Sequence, residues 1–148
     1  MRVIVWGETL TRQSLENAKR LAGKDAVVGA CLKRPTENIK VRGVENIFLL
    51  PNESSILAMG AKGDGDVLFL PREYKALPHF LKTVTPILLS KDAALITWDF
   101  DAGYSAKSGA ERLFFCLSHE GCLVVRRDLN GINGLPSHHI PERLFCQP

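Results

Sequence analysis

The chain has 148 residues, 45% of them hydrophobic and 24% charged, with a formal net charge of +3. That is one domain's length and ordinary globular composition, which excludes a disordered chain and allows a buried core. A thin surplus of scattered positive charge does not predict a nucleic-acid partner, and no apolar run approaches the roughly 18–20 residues of a membrane helix.

Met1-Arg2-Val3-Ile4-Val5-Trp6-Gly7 enters a strand directly, without the long apolar region of a signal peptide, so a cytoplasmic location is expected. Cys31, Cys116, Cys122 and Cys146 form no CxxC pair and are read as reduced thiols. The first strand runs from Arg2 to Trp6. Thr9 or Thr11 can cap the helix that follows, where Leu15, Ala18, Leu21 and Ala22 keep helical spacing and Gly23 supplies the stop. Ala26 to Leu32 is a second strand, residues 36–46 are a loop or a single helical turn, and Val44 to Leu50 is a third strand. Ser54 or Ser55 can cap a short helix through Met59.

Asp64-Gly65-Asp66 then leads into Val67 to Leu70, a continuous apolar run that suits a strand buried on both faces. Pro78 fits the first turn of the next helix, whose apolar face is Leu77, Phe80, Leu81, Val84 and Leu88, with Pro86 fraying its end. Ala93 to Trp98 is a fifth strand. Ser105 or Ser108 opens a helix with Ala110, Leu113, Phe114 and Leu117 at core spacing. Gly121 ends it before a sixth strand, Cys122 to Val125. The tail from Asp128 carries two Asn-Gly turn signals and either returns as a hairpin or wraps the surface.

Strands alternating with helices predict one α/β domain over residues 1–148, a three-layer α/β/α sandwich. Its sheet is mostly parallel with five or six strands, strands one and four near the centre, in a Rossmann-like or flavodoxin-like order. Val3, Val5, Val67, Phe69, Leu95 and Ile96 are expected in the core. Either order puts a ligand crevice at the carboxyl ends of the strands.

The layout from strand one to strand four resembles a Rossmann-type nucleotide domain, including the Asp-Val-Leu-Phe-Leu-Pro strand. The turn after strand one, Gly7-Glu8-Thr9, departs from the dinucleotide fingerprint. Only one of three glycines is present, and Glu8 stands where a pyrophosphate needs bare N–H groups. No NAD affinity is expected. Tyr104 and Lys107 resemble the Tyr/Lys pair of short-chain dehydrogenases but lie three apart rather than four, so a helix start with Ser105 as cap is preferred.

Asp99 and Asp101 are alternate residues of an extended segment, so both carboxylates share a side and could hold magnesium or ribose hydroxyls. They are the candidate catalytic residues. Gly7, Thr9, Arg34 and Arg72, at strand ends, are the candidate ligand-binding residues, with either arginine holding an anion. Cys116, His119 and Cys122 have spacings open to zinc, but their apolar settings favour buried thiols. His138-His139 and Arg126-Arg127 read as surface residues. No metal site or cofactor is assigned. The expected function is binding of a nucleotide or other phosphorylated metabolite. The alternative is a non-catalytic interaction module that forms a homodimer, signalled by an exposed apolar strand or helix.

Overall fold

The β-branched run after Met1 forms β1 (Arg2–Gly7), and side-chain alternation divides it between two cores. Val3 and Val5 join one buried cluster, Ile4 and Trp6 the other. The computed structural model of the chain describes residues 1–35, 38–60, 65–90, 95–98, 122–124 and 137–146. Helix α1 (Arg12–Ala22) is capped by Thr11. The Thr11 hydroxyl accepts from the Ser14 N–H, and the Ser14 hydroxyl accepts from the Thr11 N–H, each at 3.1 Å. This is a capping box with Ser in the position Glu or Gln usually takes. Gly23 ends the helix at φ +62°, a conformation that costs glycine little.

Next come β2 (Val27–Cys31), β3 (Val44–Leu49) and α2 (Glu53–Gly60). The cap of α2 is neither Ser54 nor Ser55. Asn52 Oδ1 accepts from the Ser55 N–H at 2.9 Å, so the helix opens one residue after Asn52. Strand β4 (Val67–Pro71) is buried along its whole length. After the two-residue strand β5 (Lys75–Ala76), helix α3 spans Phe80–Ser90. Pro86 lies inside α3 rather than at a frayed end. Because the helix begins at Phe80, its inward stripe is Phe80, Val84 and partly Ile87 and Leu88. Leu81 is rotated about 100° from Phe80 and is 49% exposed, so it does not belong to the expected apolar face.

The remaining described elements are β6 (Leu95–Trp98), β7 (Cys122–Val124), β8 (Ser137–Ile140) and β9 (Phe145–Cys146). Seven strands form one sheet in the order β3-β2-β1-β4-β7-β6-β8. The first four are parallel and, with the three helices among the described residues, give the chain its α/β character. β7 runs antiparallel to both β4 and β6, and β8 is parallel to β6. Within this sheet every described strand except β7 therefore points the same way, with β1 and β4 near the middle. The sheet differs from the expected five or six strands because part of the tail, Ser137–Ile140, adds its own edge strand.

Helices α1 and α3 contribute Leu15, Ala18, Phe80 and Val84 to the larger buried cluster. Helix α2 contributes Ile56 and Leu57 to the smaller one, with Phe69 of β4. Val3, Val5, Val67, Phe69 and Ile96 are all buried, as expected; the Leu95 side chain lies outside the described residues. The tail is bound into the larger cluster. Phe145 stands 4.7 Å from Trp98 and 5.0 Å from Phe80 between ring centroids, and the Leu77 N–H donates to the Leu144 carbonyl at 2.8 Å.

Candidate functional site

The carboxyl ends of β1, β2, β4 and β6 lie along one edge of the sheet, at Gly7, Cys31, Pro71 and Trp98. Gly7, Thr9 and Arg72 are brought together there. The Arg72 N–H donates to the Trp6 carbonyl at 2.8 Å, and its Nη1 donates to the Thr9 carbonyl at 3.0 Å. A Cβ on Gly7 would stand 2.9 Å from Arg72 Cδ, so glycine is needed to let the arginine stem cross the turn. Arg72 Nε also pairs with Glu73 at 3.1 Å. The arginine thus fills the β1 turn and is held by it.

Glu8 of the same turn is paired across to the end of β2. Its carboxylate pairs with Lys33 at 2.5 Å, and the Lys33 N–H donates to the Glu8 carbonyl at 2.6 Å. The hydrogen bond and charge of Lys33 hold the Glu8 carboxyl below its ordinary value and raise the Lys33 ammonium. Both side chains are largely exposed, so the pair latches two strand ends without adding much stability. Two atoms at this turn, Trp6 Nε1 and Thr9 Oγ1, are buried without a hydrogen-bond partner among the described residues.

Arg34 is placed elsewhere. It lines a groove of about 760 Å³ beyond the end of β2, with Leu15 of α1, the segment from Asn38 to Val41, and Glu45 and Ile47 of β3. Arg34 is exposed, and neither its guanidinium nor the Lys40 ammonium has an ion-pair partner among the described residues. The wall of this groove is fastened to α1 at two points. Arg12 Nη1 donates to the Lys40 carbonyl at 2.7 Å. Lys19 lies against Gly43, where φ is +86° and a Cβ would stand 2.5 Å from Lys19 Cε.

A scan against protein-family models finds no match, and a search of curated proteins finds no significant relative. Geometry alone therefore carries the functional argument.

Asp99 and Asp101 lie outside the described residues, as do Tyr104, Lys107, Cys116, His119, Arg126 and Arg127. The strand that leads to Asp99 is described. β7 separates the end of β6 from the end of β4 by two strand spacings, about 10 Å, and the end of β2 is four spacings away, about 19 Å. Arg72 and Arg34 are thus at different distances from that end. His138 and His139 are exposed on the edge strand β8. Cys31 is fully buried, and burial pushes its thiol up. Among the described residues no cluster of three His, Cys, Asp or Glu could hold a metal.

The sequence reasoning missed the groove wall. Residues 36–46 read as a loop or a single helical turn, and the interleaving of Ile39 and Val41 with Lys40 and Arg42 is the available signal.

Proposed function

We propose that this chain is a cytoplasmic Rossmann-like α/β/α domain that binds a phosphorylated small molecule in the groove at the end of β2. The parallel order 3-2-1-4 supports the Rossmann-like reading over the flavodoxin-like one. Helices packed into two different clusters support three layers. The observation that carries the binding reading is the groove itself, which Arg34 and Lys40, neither in an ion pair among the described residues, line together with an aliphatic wall. A charged group seated there exchanges water for a guanidinium fork, which suits a phosphate's oxygens. Its volume falls within the range of small-molecule sites. Asp99 and Asp101 follow a strand about four spacings away, and the proposal gives them no part in binding.

The test is a melting screen with nucleotides, sugar phosphates and inorganic phosphate, repeated on Arg34→Gln. A ligand at one hundred times its Kd stabilises the fold by about 2.7 kcal/mol. The shift is expected to vanish in Arg34→Gln and to persist in the Asp99→Asn, Asp101→Asn double variant. A phosphorylated ligand whose effect survives Arg34→Gln, or no ligand at all, would remove the reading.

A second reading, a homodimer, rests on β3. This strand forms the sheet's edge, with Phe48 41% and Leu49 53% exposed. A second groove, of about 440 Å³, runs beside it and is lined by Val28, Phe48, Leu50 and Met59. The occupant would be a second copy presenting the same face. Sedimentation of wild type against Phe48→Asp decides it, since a monomer at high concentration in both ends the dimer reading.

A further inference from the structure

We propose that the groove between α1 and the start of α3 docks an acidic peptide segment of a partner protein through one apolar anchor. This groove, of about 190 Å³, is lined by Leu21 of α1, Leu77, Pro78 and Leu81, with the almost fully buried Phe80 at its floor. It shares no residue with the groove at the end of β2, so the two readings stand or fall apart. Its volume lies below the few hundred Å³ that enclose a whole metabolite and suits a single side chain the size of leucine or phenylalanine. Leu81 is 49% exposed beside it, and Leu89, eight residues on and about 12 Å along the helix axis, is 77% exposed. Both leave apolar area in water that a docked chain would cover.

Charge decides the kind of occupant. The charged residues of the lining are Arg20 of α1 and Lys75 of β5, both exposed, and no Asp or Glu lines the groove with them. Neither cation has an ion-pair partner among the described residues. Carboxylates on the neighbouring segments are engaged elsewhere, Glu73 with Arg72 at 3.1 Å and Glu142 beside His79 Nε2 at 3.7 Å. Glu16 stands one turn before Arg20 on α1 but forms no ion pair with it. A segment that brings carboxylates on either side of an apolar residue answers both the cations and the groove, and complementary charge of this kind sets specificity and speeds encounter. An anionic bilayer offers the charge but presents a flat surface, which does not push one side chain into a concave groove.

The probe is a library of random dodecapeptides displayed on phage and selected on the full chain, with enriched sequences synthesised and titrated by calorimetry. Enriched peptides are expected to share a large apolar residue flanked by Asp or Glu. Replacing those acids by Asn and Gln should weaken binding about tenfold or more, and so should Leu81→Asp or the double change Arg20→Glu, Lys75→Glu in the protein. Arg34→Gln is expected to leave the affinity unchanged. All three altered positions are exposed, and an Asp suits the first turn of α3, so the variants should fold, which circular dichroism checks. Enriched peptides without acidic residues, or binding indifferent to both protein variants, overturn the proposal. So does a library that yields no peptide. In that case sedimentation and phosphatidylserine vesicles reassign the face, to a second copy if self-association is lost in Leu81→Asp and to a membrane if vesicle binding is.

Discussion

At the scale of single residues, the β1 turn shows how a position suited to one chemistry is committed to another. Thr9 is a candidate ligand contact, yet its hydroxyl is buried with no hydrogen-bond partner among the described residues, which costs about 1–3 kcal/mol relative to a satisfied group. Thr9→Val keeps the shape and removes the unmet polar atom. It is expected to be neutral or to raise stability by up to about 1 kcal/mol in urea unfolding, with the groove's affinity unchanged. Glu8 and Lys33 supply a pH signature. The Glu8 carboxyl sits below its ordinary value, so the pair's attraction is present above the usual carboxylate range and fades as pH falls through the lowered value. The Lys33 ammonium is raised, so the attraction also fades when the pH climbs through that higher value. In an NMR titration, Lys33→Gln is expected to move the Glu8 midpoint upward, and salt should do the same more weakly in the wild type. An unmoved midpoint would mean the two side chains do not meet in solution.

At the scale of elements, α2 is seated on β4 by the absence of a side chain. A Cβ on Gly60 would collide with the Phe69 ring, which is fully buried. Gly60→Ala is therefore expected to cost about 1–3 kcal/mol through overpacking. Adding Phe69→Leu should recover part of that loss, because neighbours sharing one space are not additive. Equal losses summed in the double variant would refute the contact. Which elements were legible follows the same logic of near and far. The apolar runs at Arg2–Gly7, Val27–Cys31 and Val67–Pro71 announced themselves because strands buried on both faces must be continuous in hydrophobicity. Asn52 and Thr11 were harder to choose among neighbouring hydroxyl and amide residues, since a cap is decided by which oxygen reaches which N–H. The direction of β7 could not be read at all. Three residues carry no record of whether their partners lie ahead or behind in the chain. The groove was legible only through Arg34, for its other walls are gathered from α1, a loop and β3.

At the scale of the whole molecule, the tail is part of the structure's centre. Leu144 and Phe145 are fully buried, and Phe145 meets Trp98, Phe80 and Tyr74. Phe145→Ala is expected to cost about 3–5 kcal/mol, enough to lower the urea midpoint well before any effect on the groove at the other flank of the sheet. A variant with an unchanged midpoint would mean the tail does not pack there. The homodimer reading meets a device at this scale too. The Leu50 N–H turns toward β2, donating to the Cys31 carbonyl at 2.8 Å, so the N–H of Ile47 faces outward along the free edge. The side chain of Asn46 already accepts that N–H at 2.8 Å. A second copy would thus find fewer open ladder groups on β3 and would have to dock through the Phe48 face instead. The order of strands also has a meaning in time. A ribosome delivers β1 to β4 first, and those four can pair as soon as residue 71 has emerged. The flank of β4 that β7 will cover then stays open, an apolar ribbon with unmet backbone groups, until residues 122–124 follow. During that interval the nascent chain offers the geometry that invites chain-to-chain association, and slow translation between the two would lengthen the exposure.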